Sequence, residues 1–113
     1  MPKKTASRTQ PKAPTVGADD YTAQLIEDLK DPVEAAAYLD AAIQVGDREA
    51  LLVAMRHVAA ANGGMALIAQ QTGLSRESLY RAFSKRGNPT VATLSSVLEA
   101  SGLRLSVQPA HLA

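Results

Sequence analysis

Between residues 64 and 89, apolar and polar residues recur at helical spacing in two short stretches that are separated by a break. The pattern predicts a first helix from Met65 to Gln71 and a turn at 72–74. A second helix is predicted from Ser75 to about Ser84. Two short helices joined by a glycine-containing turn form the helix-turn-helix arrangement that reads DNA.

Several residues around the turn support these boundaries. Gly73 can take the positive φ that ends a helix without a steric penalty. Ser75 stands at the N-cap position, where its hydroxyl can accept a hydrogen bond from a free amide of the first turn. Leu74 and Leu79 have the spacing of a hydrophobic staple, whereas Ser78 at the third helical position leaves the capping box incomplete.

The second helix separates into an apolar and a polar face. At about 100° per residue, Leu79, Ala82 and Phe83 fall on one arc and are predicted to pack inward. The opposite face is polar and contains Glu77, Ser78, Tyr80 and Arg81, with Arg76 at its edge. Arginine can bond guanine, glutamate can accept from cytosine and serine can do either, so this face is suited to base edges.

A short basic loop follows the second helix. Lys85, Arg86 and Asn88 in this loop, together with Tyr80, are assigned to DNA phosphate contacts. The alternative is an ordinary αα-hairpin whose polar face is only solvated. The staple, the polar outward face and the basic loop together favour DNA binding.

The remaining apolar periodicity predicts further helices on both sides of this motif. Residues 19–30 predict a short helix or turn. The next helix runs from Pro32 to about Gln44 after an Asp31 cap, and another from Arg48 to Ala61 after an Asp47 cap. A last helix begins at Thr90 and ends at Gly102. Their predicted inward residues are Ala36, Leu39 and Ile43, then Leu51, Met55, Val58 and Ala59, then Val91, Leu94, Val97 and Leu98.

Strict alternation in residues 103–107, which read L-R-L-S-V, predicts one short C-terminal β-strand that ends before Pro109. A single strand needs a partner. It can pair with a second copy of itself or join a sheet of another protein. The predicted architecture is thus all-α with five helices and one lone strand.

Charge is distributed unevenly along the 113 residues, although the net charge is only +1. Residues 1–18 contain four bases, no acid and three of the six prolines, and are predicted to be a disordered basic tail. This tail either lies on DNA as a basic arm or is simply solvated. Residues 19–64 have nine acids against three bases, a net −6, and residues 65–113 have a net +3. The asymmetry suggests one nucleic-acid partner and one basic partner, unless the charges cluster by chance.

No catalytic constellation is found in the sequence, so an enzyme is not expected. His57 lies inside a predicted helix and His111 near the end, and neither has a partner at metal-ligand spacing. No nucleotide-binding or nucleophile motif occurs. The adjacent Asp19 and Asp20 do not make a metal site alone. No cofactor and no metal is therefore predicted.

The absence of cysteine fits a reducing cytoplasm. No apolar run approaches the roughly 20 residues that cross a bilayer, and the N-terminus lacks the apolar region of a secretory signal. The sequence therefore predicts a cytoplasmic protein without a membrane partner.

The stretch G-L-S-R-E-S-L-Y-R-A-F-S-K-R-G-N-P-T at 73–90 resembles the lambda-repressor-like (Xre-type) helix-turn-helix. The segments L-K-D-P-V-E-A-A-A-Y-L-D-A-A at 29–42 and G-D-R-E-A-L at 46–51 make the chain similar, more narrowly, to addiction-module antidote proteins of the HigA-like antitoxin type. The likeness covers about 19–107. Related proteins often place Thr or Gln near the start of the first helix to contact phosphate, whereas residues 65–67 here read Met-Ala-Leu.

The resemblance implies an antitoxin that neutralises a small RelE/ParE-like toxin and represses its own operon as a homodimer on operator DNA. It implies a lambda-repressor-like domain at 19–107, with the helix-turn-helix at 64–89 and a C-terminal tail at 108–113. Family recognition-helix positions carry over to Ser75, Arg76, Glu77, Ser78 and Arg81. Acidic residues proposed to face the basic toxin are Glu34, Asp40 and Glu49. Two alternatives stay open: a stand-alone Xre-type repressor without a toxin, and an interaction module that has lost DNA binding.

Overall fold

A computed structural model describes residues 14–110, and side chains from Asp20 onward. The described part of the chain is all-helical, as predicted, but it has six helices rather than five. The helices are α1 (Pro14–Asp28), α2 (Pro32–Val45), α3 (Arg48–Ala61), α4 (Met65–Thr72), α5 (Arg76–Ala82) and α6 (Val91–Ala100). The additional helix is α1, because the segment predicted as a short helix or turn forms four turns.

Helix α1 begins at Pro14, which lies inside the segment 1–18 that the sequence assigns to a disordered tail. Residues 14–18 are helical in the structure, so the expectation of disorder is restricted to 1–13. That part lies outside the described residues, as does His111.

Side-chain caps fix the starts of the helices where the sequence predicts them. The carboxylate of Asp31 accepts a hydrogen bond from the Val33 amide at 2.9 Å, before α2. The hydroxyl of Thr90 accepts from the Thr93 amide at 3.0 Å, before α6. Asp47 caps α3 in the same way. Each cap satisfies an amide that has no partner within its helix, and this hydrogen bond stabilises the start of the helix at that residue.

Helix α3 lies at the centre of the fold and packs against α1, α2 and α4, while α4 packs against α5 and α6. It supplies five fully buried residues, which is why all six helices share one core. The buried apolar residues are Leu29, Ala35, Leu39, Leu52, Ala54, Met55, Val58, Ala59, Met65, Ile68, Ala69, Leu79, Phe83, Val97 and Leu98.

Three predicted inward positions are exposed. On α2, Ala36 is exposed and Ile43 is 54% exposed, whereas Ala35 is buried in their place. On α6, Val91 is 72% exposed. On α2 the inward prediction was wrong because this helix packs mainly against α3. No described helix covers the side of α2 on which Ala36 and Ile43 lie.

The predicted β-strand at 103–107 is not formed in the described residues. Residues 103–110 continue without helix, strand pairing, turn or bend. A strand requires a neighbouring strand for its hydrogen bonds, and no such neighbour exists between 14 and 110. Leu103 still packs on the core, whereas Val107 is 97% exposed.

No single helix among the described residues is both long and apolar enough to cross a membrane. Only α3 and α4 taken together meet that test of length and composition, across an 81° bend. Both helices supply buried residues to the core.

Candidate nucleic-acid interface

The turn between α4 and α5 is held by a threonine that sequence reasoning passed over. The Thr72 hydroxyl donates to the Ile68 carbonyl at 2.8 Å and accepts from the Leu74 amide at 3.3 Å. Gly73 takes a φ of 78°, and its amide donates to the Ala69 carbonyl at 2.9 Å. A side chain at residue 73 would strain this backbone, so the position requires glycine. Gly73 and the two hydrogen bonds of Thr72 together set the direction in which α5 leaves the turn.

Helix α5 begins where the sequence predicts. The hydroxyl of Ser75 accepts a hydrogen bond from the Ser78 amide at 3.2 Å, and the Ser75 carbonyl accepts from the Leu79 amide at 3.0 Å. The helix ends earlier than predicted, at Ala82, and Phe83 serves as its C-cap.

The two faces of α5 are divided as predicted. Leu79 and Phe83 are each only 1% exposed and belong to the core, and Ala82 is half-buried. All five residues assigned to base reading are exposed: Ser75, Arg76, Glu77, Ser78 and Arg81. Tyr80, assigned to phosphate, is 55% exposed on the same helix. The structure therefore presents one continuous polar surface along α5, with two guanidinium groups and one carboxylate.

The basic loop after α5 is folded back against the helix. The Ser84 hydroxyl donates to the Arg81 carbonyl at 2.8 Å, and the Gly87 amide donates to the Ser84 carbonyl at 2.8 Å. A Cβ atom at residue 87 would collide with the Ala82 carbonyl, so the loop approaches α5 closely enough to require glycine there. Lys85, Arg86 and Asn88 remain exposed around that buried glycine.

Arg56 ties the far end of α5 to the centre of the fold. Its guanidinium donates a hydrogen bond to the backbone carbonyl of Phe83, which is one of the carbonyls without a partner inside the helix. The two residues are 27 positions apart in sequence. Sequence reasoning did not find this contact, because helical periodicity does not show which distant carbonyl the Arg56 side chain would reach.

The basic loop touches the acidic half of the molecule at one point. Lys85 Nζ lies 3.9 Å from a Glu49 carboxylate oxygen, and both side chains are largely exposed. Glu49 is assigned to the toxin and Lys85 to phosphate, so the two predicted surfaces share an edge. An exposed pair of this kind stabilises the fold by less than about 1 kcal/mol, which leaves Lys85 available to a phosphate.

The three acidic residues assigned to a toxin are all exposed but do not form one patch. Glu34 and Asp40 are six residues apart on α2, which places them about 120° apart around the helix axis. Asp40 accepts a hydrogen bond from Gln44 Nε2 at 3.0 Å. Glu49 lies in the first turn of α3 beside the basic loop. The acidic charge of this half is therefore spread around its helices.

Tyr38 on α2 and His57 on α3 make a half-buried polar contact between these helices, with the hydroxyl 2.8 Å from Nδ1. Burial raises the pKa of Tyr38, and the neighbouring Tyr21 raises it further. Burial lowers the pKa of His57, and the positive charge of Arg56 adds to that effect. Both shifts favour the neutral form, so at pH 7 the hydrogen bond joins a neutral hydroxyl and a neutral imidazole.

The first residues of α4 depart from a phosphate-contacting pattern in the structure as well. Met65 is buried, and Leu67 is 39% exposed where a polar residue would be expected. In the described part of the chain, no group of three or more His, Cys, Asp or Glu side chains could hold a metal ion.

Comparison with known proteins gives one family. Residues 21–109 match a family model described as probable addiction module antidote protein. An uncharacterised protein of Haemophilus influenzae is 39% identical over 87 residues, which is 77% of this chain and 89% of that protein. No solved structure matches the chain significantly.

Proposed function

The chain belongs to the family of probable addiction module antidote proteins, and on that premise we propose that it is the antitoxin of a type II toxin–antitoxin module. In this proposal it binds and neutralises a small RelE/ParE-like toxin in the cytoplasm, where its operator DNA is also found. It represses its own operon through an Xre-type helix-turn-helix. The observation that supports the DNA part most directly is the exposed polar face of α5.

Each part of that face has a chemical role in the proposal. Arg76 and Arg81 bond guanine, Glu77 accepts from cytosine, and Ser75 and Ser78 bond either type of base. Around them, Tyr80, Lys85, Arg86 and Asn88 contact phosphates and position the helix. A homodimer places two copies of α5 in successive major grooves about 34 Å apart, on an inverted repeat.

The toxin part of the proposal is supported by charge. The acidic half, residues 19–64, has a net charge of −6 and repels a phosphate backbone, so it is free to bind a basic protein. We expect simultaneous reversal of Glu34, Asp40 and Glu49 to lysine to weaken toxin binding, measured by calorimetry at low salt. Reversal of Glu99 alone, on α6, is the control. Unchanged affinity of the triple variant would remove these residues from the toxin interface.

Two other functions remain as alternatives. A stand-alone repressor would purify without a small basic partner and would still retard its promoter DNA. An interaction module without DNA binding would bind the toxin but leave the promoter unretarded. The decisive experiment is co-expression with any toxin-sized reading frame beside the gene, followed by affinity purification and a gel-shift assay on the shared promoter. We expect both a stable complex and a retarded band.

A further inference from the structure

An open groove separates α2 from the C-terminal segment, defined here as residues 103–108. The groove has a volume of about 550 Å³. Its apolar lining includes Ala36, Leu39 and Ile43 on one side and Leu98, Leu103 and Leu105 on the other. Ile43 is 54% exposed and Leu105 is 41% exposed, so large apolar side chains in and around the groove have no cover.

The backbone of the C-terminal segment also lacks partners. The Leu103 amide donates to the Leu98 carbonyl at 2.8 Å, and this is the last main-chain hydrogen bond among the described residues. Beyond it the chain continues without a turn or bend as far as residue 110. Free amides and carbonyls in a row on a straight segment are a template for pairing with another strand.

The sequence of this segment is complementary to itself in one antiparallel register. If the two-fold axis passes through Leu105, Leu103 lies opposite Val107 and Arg104 lies opposite Ser106. All apolar residues then face apolar residues, and the two arginines avoid each other. An axis through Arg104 would oppose two like charges, and an axis through Ser106 would set Leu103 against Pro109. Val107, which is 97% exposed in the single chain, would then be covered by the partner strand.

We propose that the C-terminal segments of two copies of this chain pair as antiparallel strands about an axis at Leu105. The paired strands cover the groove and form the interface of the homodimer. Such an isologous contact satisfies the open backbone of both copies at once. It also adds buried surface to a domain small enough to benefit from it. The inference deepens the proposed function, because the dimer it describes is the one that would read an inverted repeat.

Disulfide capture tests the register, because the chain contains no cysteine. The variant Leu105→Cys places two thiols opposite each other within disulfide range, so oxidation of the full-length protein should convert most of it to a covalent dimer. The matched control is Val107→Cys. Its thiol is more exposed, but in this register the two copies of residue 107 are separated by four residues, about 13 Å, and cannot be bridged.

A second variant tests the interface without oxidation. Leu105→Arg opposes two charges at the axis and should raise the dimer dissociation constant about tenfold or more in analytical ultracentrifugation. Val91→Arg, at another exposed apolar position, on α6, should leave it unchanged. Circular dichroism checks that both variants stay helical.

The proposal is overturned if the unmodified protein is monomeric at all concentrations. It is also overturned if Val107→Cys is captured as readily as Leu105→Cys, or if Leu105→Arg leaves the dimer intact. A gel shift with the promoter and a toxin pull-down, run on the same unmodified protein, report the proposed function separately. A protein that binds both partners but fails the capture test keeps its function and loses only this interface.

Discussion

Helices α2 and α5 begin with the same kind of side-chain cap, but they expose different kinds of surface. Asp31 caps the first and Ser75 the second, and each helix has an apolar stripe at helical spacing. On α5 the inward residues Leu79 and Phe83 are buried, and every exposed side chain, including the Tyr80 ring, carries a polar group. On α2 the stripe is partly open, with Ile43 more than half exposed.

The difference arises from the neighbours of each helix. Helix α5 lies against α4, its C-terminal carbonyl is held by Arg56, and the loop folds back over Gly87. Helix α2 packs mainly against α3, and its other side faces the open groove. An apolar pattern thus identifies the side of a helix that requires cover, but another chain can supply that cover. The polar face of α5 suits nucleic acid, and the apolar and acidic surface of α2 suits protein.

The largest expected difference between the two helices is in stability. We expect Phe83→Ala to lower the free energy of unfolding by about 3–5 kcal/mol, since it empties a fully buried site. Ile43→Ala should change it by no more than about 0.5 kcal/mol in the dissociated chain. Urea titration at low protein concentration measures both. Equal losses would mean that the open side of α2 is covered within one chain.

The next effect concerns the polar face of α5. Arg81→Ala, or Arg76→Ala, should cost about 1–3 kcal/mol of binding free energy on the operator if the side chain reads a base. Arg48→Ala, which removes an exposed arginine from the acidic half, should not. Gel-shift titrations on the operator and on scrambled DNA separate the outcomes. A uniform loss on both DNAs would identify a phosphate contact instead.

A smaller effect is expected where the two halves touch. Lys85→Gln should weaken binding to all DNA sequences and reduce the salt slope by about one. Glu49→Gln leaves Lys85 without its acidic neighbour at 3.9 Å, so it should strengthen DNA binding slightly. Affinities measured between 50 and 200 mM salt, a range in which phosphate contacts are prominent, test both. A Glu49→Gln variant that bound DNA less tightly would contradict this account of the pair.

The smallest expected effect is a pH dependence of stability that arises from His57, at the contact between α2 and α3. Because the pKa of His57 is lowered in the folded protein, the unfolded chain takes up a proton first as the pH falls below about 6.5. The contribution of His57 to the free energy of unfolding should therefore be fully present above that pH. It should decrease below that pH until the folded form is protonated as well. His57→Asn should remove this slope in thermal unfolding between pH 7 and pH 5, a range that spans the free histidine pKa. An identical slope in the variant would assign it to other groups.

Much of the fold can be read from the sequence, and the reason is that helix boundaries are local. Asp31, Asp47, Ser75 and Thr90 each accept a bond from an amide two or three residues ahead, so each start is determined within one turn. The faces of α5 follow in the same way from helical spacing alone. The family likeness depends on these same local segments.

Only the tertiary structure decided the contacts between distant residues. Periodicity could not show that Arg56 would reach the Phe83 carbonyl or that Lys85 would approach Glu49, because such contacts depend on how the helices pack. Ile43 is more than half exposed because no other helix packs on that side of α2, and a local pattern cannot show whether such a helix is present. The strand at 103–107 was predicted from its alternation, yet a strand forms only when another backbone lies beside it. Local hydrogen bonds therefore determined where the helices are, and packing determined which of their surfaces remain open to partners.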